Sequence, residues 1–443
     1  MKDPASAHTH DRDARAKGSV IAGVAFQGTY VLVQFVILAV LIREVGEERF
    51  GMWITIFSMT MWLSMLLMGM DRALLTWLGR VAFHQPQQAR RVIRAALGVV
   101  ILSSGLAGIA ILVLGRSLPW AHRILNVSAA DAVRDATPTA VAAMLVTAVS
   151  IPLLLSGFIL QAYQRGATRH LLGIVSLLVG LGLVLLGVWL DWSLPWLGAM
   201  VVSPLMIGGA LQWFVVWRLM PPREAGATDT TPVAGPMLAT GMGLWLSDVA
   251  MILLLNSGAL VVAQVEGATG VVPYGAVYRL VGPIFVCYVV IAHSFWPAFS
   301  DAAQAQDHKW IGGALKKSLA LVIGLWLIGA AGCLLIGEPF IVWWLGEAAR
   351  PGTALILAGL ALALAIGVYH ISVAALGGLG YIRVQAIVSI IMLLVYGIAV
   401  WVFASSINAI GVMLIQAAGI GLIGVINSAY LVLVRRRPTD PAV

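Results

Sequence analysis

The chain has 443 residues, of which 60% are hydrophobic and 10% charged, with a mean hydropathy of +0.96. A soluble globular domain carries roughly 25% charged residues, so this composition excludes a soluble enzyme and leaves a polytopic membrane protein. Lys and Arg number 27 against 19 Asp and Glu, a formal charge of +8; in such a chain the excess orients loops rather than binding nucleic acid.

Residues 1–17 form a polar tail. The apolar run behind it is long and has no small-residue cleavage site, so no cleavable signal peptide is expected. His8-Thr9-His10 in the tail reads as part of an unstructured terminus and not as a metal site. A helical span needs about 20 apolar residues. Twelve stretches qualify, near 18–42, 50–70, 93–115, 138–162, 171–190, 195–217, 237–264, 273–299, 315–337, 353–377, 382–404 and 407–434. The expected fold is therefore all-α, with twelve transmembrane helices. The runs are continuous, unlike the alternation of a β-barrel. The longest connection, about 219–236, is too short to fold alone, which leaves no room for a soluble catalytic domain.

Basic residues fix the orientation. With the N-terminus in the cytoplasm, the tail, Arg72 to Arg94, Arg165, Arg169, Arg218, Arg223, Lys309, Lys316, Lys317, Arg383 and Arg435 to Arg437 fall on the cytoplasmic side. Few remain on the other side, so both termini are expected in the cytoplasm.

Twelve spans suggest two six-helix lobes, 18–218 and 237–434, joined by the proline-bearing cytoplasmic linker 219–236 and followed by the basic tail 435–443. An even number of spans per lobe makes the lobes parallel repeats about an axis along the membrane normal. Short matches run in the same order through both halves. Span 1 ends in Glu44-Val45-Gly46 and span 7 in Val265-Glu266-Gly267. Phe50-Gly51 and Tyr274-Gly275 open the spans that follow. Polar breaks come at Asp71-Arg72 and Ser300-Asp301, and basic residues precede spans 3 and 9. Pro152, Pro204, Pro283 and Pro297 fall inside spans, where proline kinks a helix.

Ionisable residues at membrane depth are costly and are candidates for function. Arg279, in Tyr278-Arg279-Leu280-Val281, is the sharpest of them. Its fork of donors suits phosphate oxygens, which makes it a candidate anion-binding group. An ion pair with Asp248 of span 7, or snorkelling to the outer surface, are the other readings. Asp248 is read either as a carrier of a coupling proton or as a structural partner. His293 and His370 read as satisfied interior histidines. Arg43 and Arg72 sit at span ends, where they either anchor the helix or face a cavity. Trp53, Trp120, Trp192, Trp196, Trp343 and Trp344 lie at span ends as an aromatic belt. Cys287 and Cys333 fall inside spans and read as buried thiols, neither disulfide nor metal ligands. No active-site constellation is present: Gly312 to Ser318 lacks the glycine before lysine of a phosphate loop. No cofactor or metal is expected.

The stretch from Arg43-Glu-Val-Gly46 through Phe50-Gly51 to Gly69-Met-Asp71-Arg72 resembles the N-terminal signature of polysaccharide-export flippases of the Wzx type. Tyr274-Gly-Ala-Val-Tyr278-Arg279-Leu280, Trp296-Pro297-Ala-Phe-Ser-Asp301 and Gly380-Tyr381-Ile-Arg383-Val-Gln385 resemble the second half of the same multidrug/oligosaccharidyl-lipid/polysaccharide (MOP) superfamily. The resemblance implies two lobes around a central cavity that opens to each side of the bacterial inner membrane in turn. It implies an undecaprenyl-pyrophosphate-linked oligosaccharide as cargo for O-antigen, capsule or exopolysaccharide assembly. It implies Arg279 as the pyrophosphate contact, because related lipid II flippases carry an arginine at the matching place, with Arg43 and Arg72 matching two further arginines. Twelve spans, where lipid II flippases have fourteen, favour a glycan other than the peptidoglycan precursor. The implied partners are membrane lipids, a glycan polymerase and a chain-length regulator, with the monomer as the working unit and no nucleic acid. The alternatives are a cation-coupled multidrug exporter of the same superfamily, disfavoured by the buried arginine, and a membrane glycan polymerase or ligase, disfavoured by short outer loops.

Overall fold

The computed structural model describes residues 4–82, 85–220 and 233–434. Most of the linker 219–236 and all of the basic tail 435–443 lie outside the described residues. Thirteen α-helices follow in order: α1 (Pro4–Val45), α2 (Glu47–Trp62), α3 (Met70–Val81), α4 (Pro86–Leu114), α5 (Ala130–Ala162), α6 (Gly166–Trp189), α7 (Leu194–Leu219), α8 (Ala234–Asn256), α9 (Gly258–Gln304), α10 (His308–Leu345), α11 (Thr353–Gly378), α12 (Ile382–Phe403) and α13 (Ala409–Val434). Among the described residues there is no strand. The protein is an all-α polytopic membrane protein. Among the described residues, eleven stretches are long and apolar enough to cross a membrane. One of them, Trp245–Ala292, bends at Gly267 (φ 77°, ψ 176°), so it takes in most of both the seventh and the eighth expected span.

Several expectations shift. Residues 4–17 are not an unstructured tail: the backbone there is helical and runs on into the first span as part of α1. Asp71-Arg72 is not a break. The break lies just before it, in the 3-10 turn Leu63–Leu67 and at Met68 and Gly69, whose φ values are 49° and 72°. Asp71 and Arg72 then open the amphipathic helix α3, which buries Met70, Ala73, Leu74, Leu78 and Val81 at helical spacing. Arg90, Arg91 and Arg94 do not precede the third span; they occupy the first turns of α4 itself, which starts at Pro86, a favoured first helical residue.

The chain divides into two compact units. The first comprises the described residues within Met1–Gly46, Leu63–His122 and Ser128–Trp245; the second comprises Glu47–Trp62, Arg123–Val127 and those within Leu246–Val443. Each unit is built around one helix, α5 in the first and α11 in the second, and the most apolar window of each is 61% buried. The reason is composition. α5 turns Ala136, Ala140, Ala143, Thr147, Ser150 and Gly157 inward, and α11 turns Ala358, Gly359, Ala363, Gly367, Ser372 and Ala375 inward. Small side chains let neighbouring helices approach closely, which is how helices associate where lipid weakens the hydrophobic drive. By contrast α4 and α10 present rows of large aliphatic residues to the surface, such as Leu102, Leu106 and Ile109, or Leu327, Ile328 and Leu335. Cys287 is likewise exposed on α9. The expectation of two buried thiols holds only for Cys333.

The units repeat one another in detail. Gly46 after α1 (φ 80°) and Gly267 within α9 (φ 77°) adopt the left-handed region at matching places. The turns from α5 to α6 and from α11 to α12 are built alike. Arg165 N donates to Leu160 O as Tyr381 N does to Leu376 O, and Gln164 N donates to Gln161 O as Gly380 N does to Gly377 O. The left-handed residue is Gln164 (φ 57°) in one and Gly380 (φ 83°) in the other. In this register Arg169 corresponds to Gln385.

Candidate functional site

In the second unit, Phe50 and Gly51 of α2 pack on α9 so closely that a Cβ at Gly51 would run into the Ala268 carbonyl. Only glycine fits there, and this approach brings Ile54 against Gly275. Arg279 lies one turn further along α9, half-buried, with Nη1 donating to the Gly275 carbonyl at 3.1 Å. A buried polar clamp sets the rotation of α9. Tyr274 Oη donates to Gln416 Oε1 of α13 at 2.6 Å, and Gln416 Nε2 donates to the carbonyls of Leu254 (2.7 Å) and Leu255 (3.2 Å) at the end of α8. Ser257 Oγ, between α8 and α9, donates to Tyr396 Oη at 2.9 Å.

Asp248 belongs to α8 and is half-buried. Its neighbour Ser247 is fully buried, accepts from Gln385 Nε2 of α12 at 2.9 Å and lies 3.3 Å from Ser389 Oγ. Both second-unit candidates are thus adjacent to polar contacts that fix their helices. His370 is half-buried on α11 with its ring edge-on to Tyr369, and the side chain of His293 lies outside the described residues.

Arg43 and Arg72 belong to the first unit. Arg43 is exposed in the last turn of α1. Arg72, 40% exposed, has Nε 3.7 Å from Asp71 Oδ2. The start of α3 is pinned from α8: Trp245 Nε1 donates to Met65 O at 2.8 Å and Trp77 Nε1 to Thr240 Oγ1 at 3.3 Å.

One basic residue that loop charge alone assigned to the cytoplasmic surface lies inside this unit. Arg169, on the first turn of α6, is half-buried. Its Nη1 donates to Gln161 Oε1 at 2.6 Å, and its guanidinium lies 4.9 Å from the centre of the Phe158 ring. Its carbonyl accepts from Gln212 Nε2 at 3.2 Å. The sequence signal was its position inside the apolar helix, directly before His170-Leu171-Leu172. Among the described residues no group of three or more His, Cys, Asp or Glu side chains is placed to hold a metal ion.

Solved structures share this architecture over nearly the whole chain. A multidrug resistance MATE family transporter of the MOP superfamily, in its inward-facing conformation, superposes with a TM-score of 0.69 at 14% identity, over 92% of this chain and 94% of that one. The lipid II flippase MurJ, inward closed, gives 0.68 at 13% identity, over 94% and 87%. A MOP superfamily transporter from Pyrococcus furiosus, for which the reverse polarity of the binding pocket suggests a different function, gives 0.64 at 15%, over 96% of each chain. The fold is that of the MOP transporters. Both exporters and a lipid flippase use it, so the fold leaves the substrate to the side chains. No protein-family model and no curated protein matches the sequence.

Proposed function

We propose that this protein is a flippase that moves an undecaprenyl-pyrophosphate-linked oligosaccharide from the cytoplasmic to the periplasmic leaflet of a bacterial inner membrane by alternating access, for surface polysaccharide assembly. The observation that carries the reading is Arg279, a half-buried guanidinium within an apolar span whose helix is locked by the Tyr274–Gln416 clamp. A diphosphate carries about two negative charges and does not cross hydrocarbon unaided, whereas fixed arginines replace the water it loses. Arg43 and Arg72 are the accompanying cationic groups. Both termini lie in the cytoplasm, and the protein binds and translocates its cargo without chemical conversion.

A cation-coupled multidrug exporter is the second reading, and Asp248 favours it as a half-buried carboxylate within a span. One assay separates the two. Proteoliposomes carry a short fluorescent glycan on undecaprenyl pyrophosphate, and protein-dependent accessibility to an external quencher is followed. Wild type moves the lipid and Arg279→Gln loses at least tenfold in rate with its melting temperature unchanged. Movement of a lipophilic cation instead, abolished by Asp248→Asn and indifferent to Arg279→Gln, would establish the exporter.

A further inference from the structure

The segment 123–127 lies in the second unit, although α4 and α5, the helices on either side of it, lie in the first. It meets α9 just ahead of the bend at Gly267. Asn126 Nδ2 donates to the carbonyls of Ala263 at 3.1 Å and Gln264 at 3.4 Å, and Gln264 Nε2 donates back to the Ile124 carbonyl at 2.6 Å. The bend explains why α9 accepts these bonds. Gly267, with φ 77° and ψ 176°, interrupts the helical ladder, and carbonyls in the turn before such an interruption lose donors from their own helix. Asn126 itself stands in the left-handed region at φ 49°, which asparagine tolerates better than most residues. Its neighbours Leu125 and Val127 are buried, whereas Asn126 and Gln264 are exposed.

The repeat supplies a second, independent observation. Gly46, the bend that matches Gly267, has no atom beyond its own chain neighbours within 4 Å of the place a Cβ would take. At Gly267 the Asn126 carbonyl lies 3.7 Å from that place, and Glu266 beside it accepts from Ala409 N at 2.7 Å, at the start of α13. A left-handed glycine makes the bend in both halves, so the fold does not need Asn126 to form it. The bonds from Asn126 are an addition in the second half, made by a segment whose chain neighbours on both sides belong to the first unit.

We propose that Asn126 and Gln264 form a releasable latch, which ties the connection between α4 and α5 to α9 on the side that the loop charges leave to the periplasm and opens once in each transport cycle. It rests on the alternating-access reading and adds to it the contacts that hold one of its states. Because α4 and α5 carry the segment, a displacement of these helices from α9 breaks the three bonds together. Each bond joins neutral groups, and such a bond shifts an equilibrium by only about fivefold. Water reaches both exposed side chains and replaces the bonds as they part. A latch of this strength holds one state and still lets go.

The test uses the full chain in lipid nanodiscs, with Cys287→Ala and Cys333→Ala, and spin labels on Arg123→Cys and Thr269→Cys, both exposed positions. Pulsed electron-spin measurements read the distance from the segment to α9 without any cargo, so this arm does not depend on the flippase reading. Asn126→Asp keeps the shape and tolerates the left-handed backbone but cannot donate; Asn126→Gly keeps the backbone alone; Gln264→Ala removes the return bond. The latch predicts that each variant raises the ratio of separated to docked segment by roughly fivefold, and that Asn126→Asp with Gln264→Ala raises it further, at an unchanged melting temperature. Distances that stay at the wild-type values in all the variants would overturn it. So would a lower melting temperature with no added separation, which marks a structural cap on α9. A second arm joins Asn126→Cys to Gln264→Cys with a short reducible cross-linker in proteoliposomes. Transport, followed with the fluorescent glycan lipid and separately with a lipophilic cation, stops on cross-linking and returns on reduction. Glycan-lipid movement that continues at full cross-linking overturns the latch and spares the flippase. Movement of the cation alone, stopped by the cross-link, overturns the flippase and supports the latch.

Discussion

Tyr274 shows how a single buried hydroxyl anchors α9 five residues before Arg279, the proposed anion contact. Its bond to Gln416, and the bonds from Gln416 to Leu254 and Leu255, tie three helices at one point. Tyr274→Phe removes one neutral hydrogen bond and is expected to cost about 1 kcal/mol. Gln416→Leu strands the Tyr274 hydroxyl in the core and removes the contacts to two carbonyls, so about 2–4 kcal/mol is expected from the usual penalty per buried group. Thermal unfolding in detergent checks the order, and equal shifts would show that the clamp does not act as one network. A second residue-scale case lies outside the spans. Arg350 holds Glu347 through Nε at 2.7 Å and Nη2 at 2.8 Å, and Glu338 through Nη1 at 2.6 Å. The Arg350 hydrogen bonds keep the Glu347 carboxyl below its ordinary value. A depressed carboxyl contributes stability above its unfolded pKa and loses it as pH falls through the lower folded value. Melting temperature should therefore fall between roughly pH 5 and 3, and Arg350→Ala should flatten that fall. Both groups are exposed, so the effect is small and shrinks with salt.

Helix contacts here depend on where a side chain can be absent. A Cβ at Gly51 meets the Ala268 backbone, whereas one at Gly79 of α3 meets nothing within 4 Å. Gly51→Leu is expected to destabilise by about 1–3 kcal/mol through overpacking. Gly79→Ala is expected to stabilise by up to about 1 kcal/mol, since glycine weakens a helix interior. Paired melting curves decide the point, and equal tolerance of both would remove the close α2–α9 approach. At this scale much was legible. Continuous apolar runs marked the spans, and Gly46 and Gly267 marked the matched bends, because only a residue without Cβ enters that backbone region readily. The break before α3 was not legible. Leu63-Ser64-Met65-Leu66-Leu67-Met68 reads as unbroken membrane helix, and the 3-10 turn is capped by an indole 180 positions away in sequence, Trp245 on Met65 O. Arg169 was passed over for a related reason. Charge near a span end has the same sequence signature whether it faces headgroups or turns inward over Phe158.

For the whole molecule, the decisive quantity is the parity of crossings. Eleven apolar stretches taken one by one would leave the two termini on opposite sides of the membrane, whereas two crossings within Trp245–Ala292, one on each side of its bend at Gly267, would return them to the same side. Length decides between these. At 1.5 Å per residue the 48-residue stretch would extend about 70 Å if straight, more than twice a hydrocarbon core of roughly 30 Å. A single crossing would leave most of its apolar surface in water, which the hydrophobic effect forbids at about 25 cal/mol per Å². The basic residues agree, because only the even count keeps Arg72, Arg169, Lys316 and Arg383 on one side. The expected outcome is that reporters fused to the two termini give the same answer: a cytoplasmic fluorescent protein is bright at either end, and a phosphatase active only in the periplasm is silent at both. A phosphatase placed after Glu266 should be active. Opposite answers at the termini would remove the crossing at Gly267, and with it the parallel repeat that aligns Arg169 with Gln385.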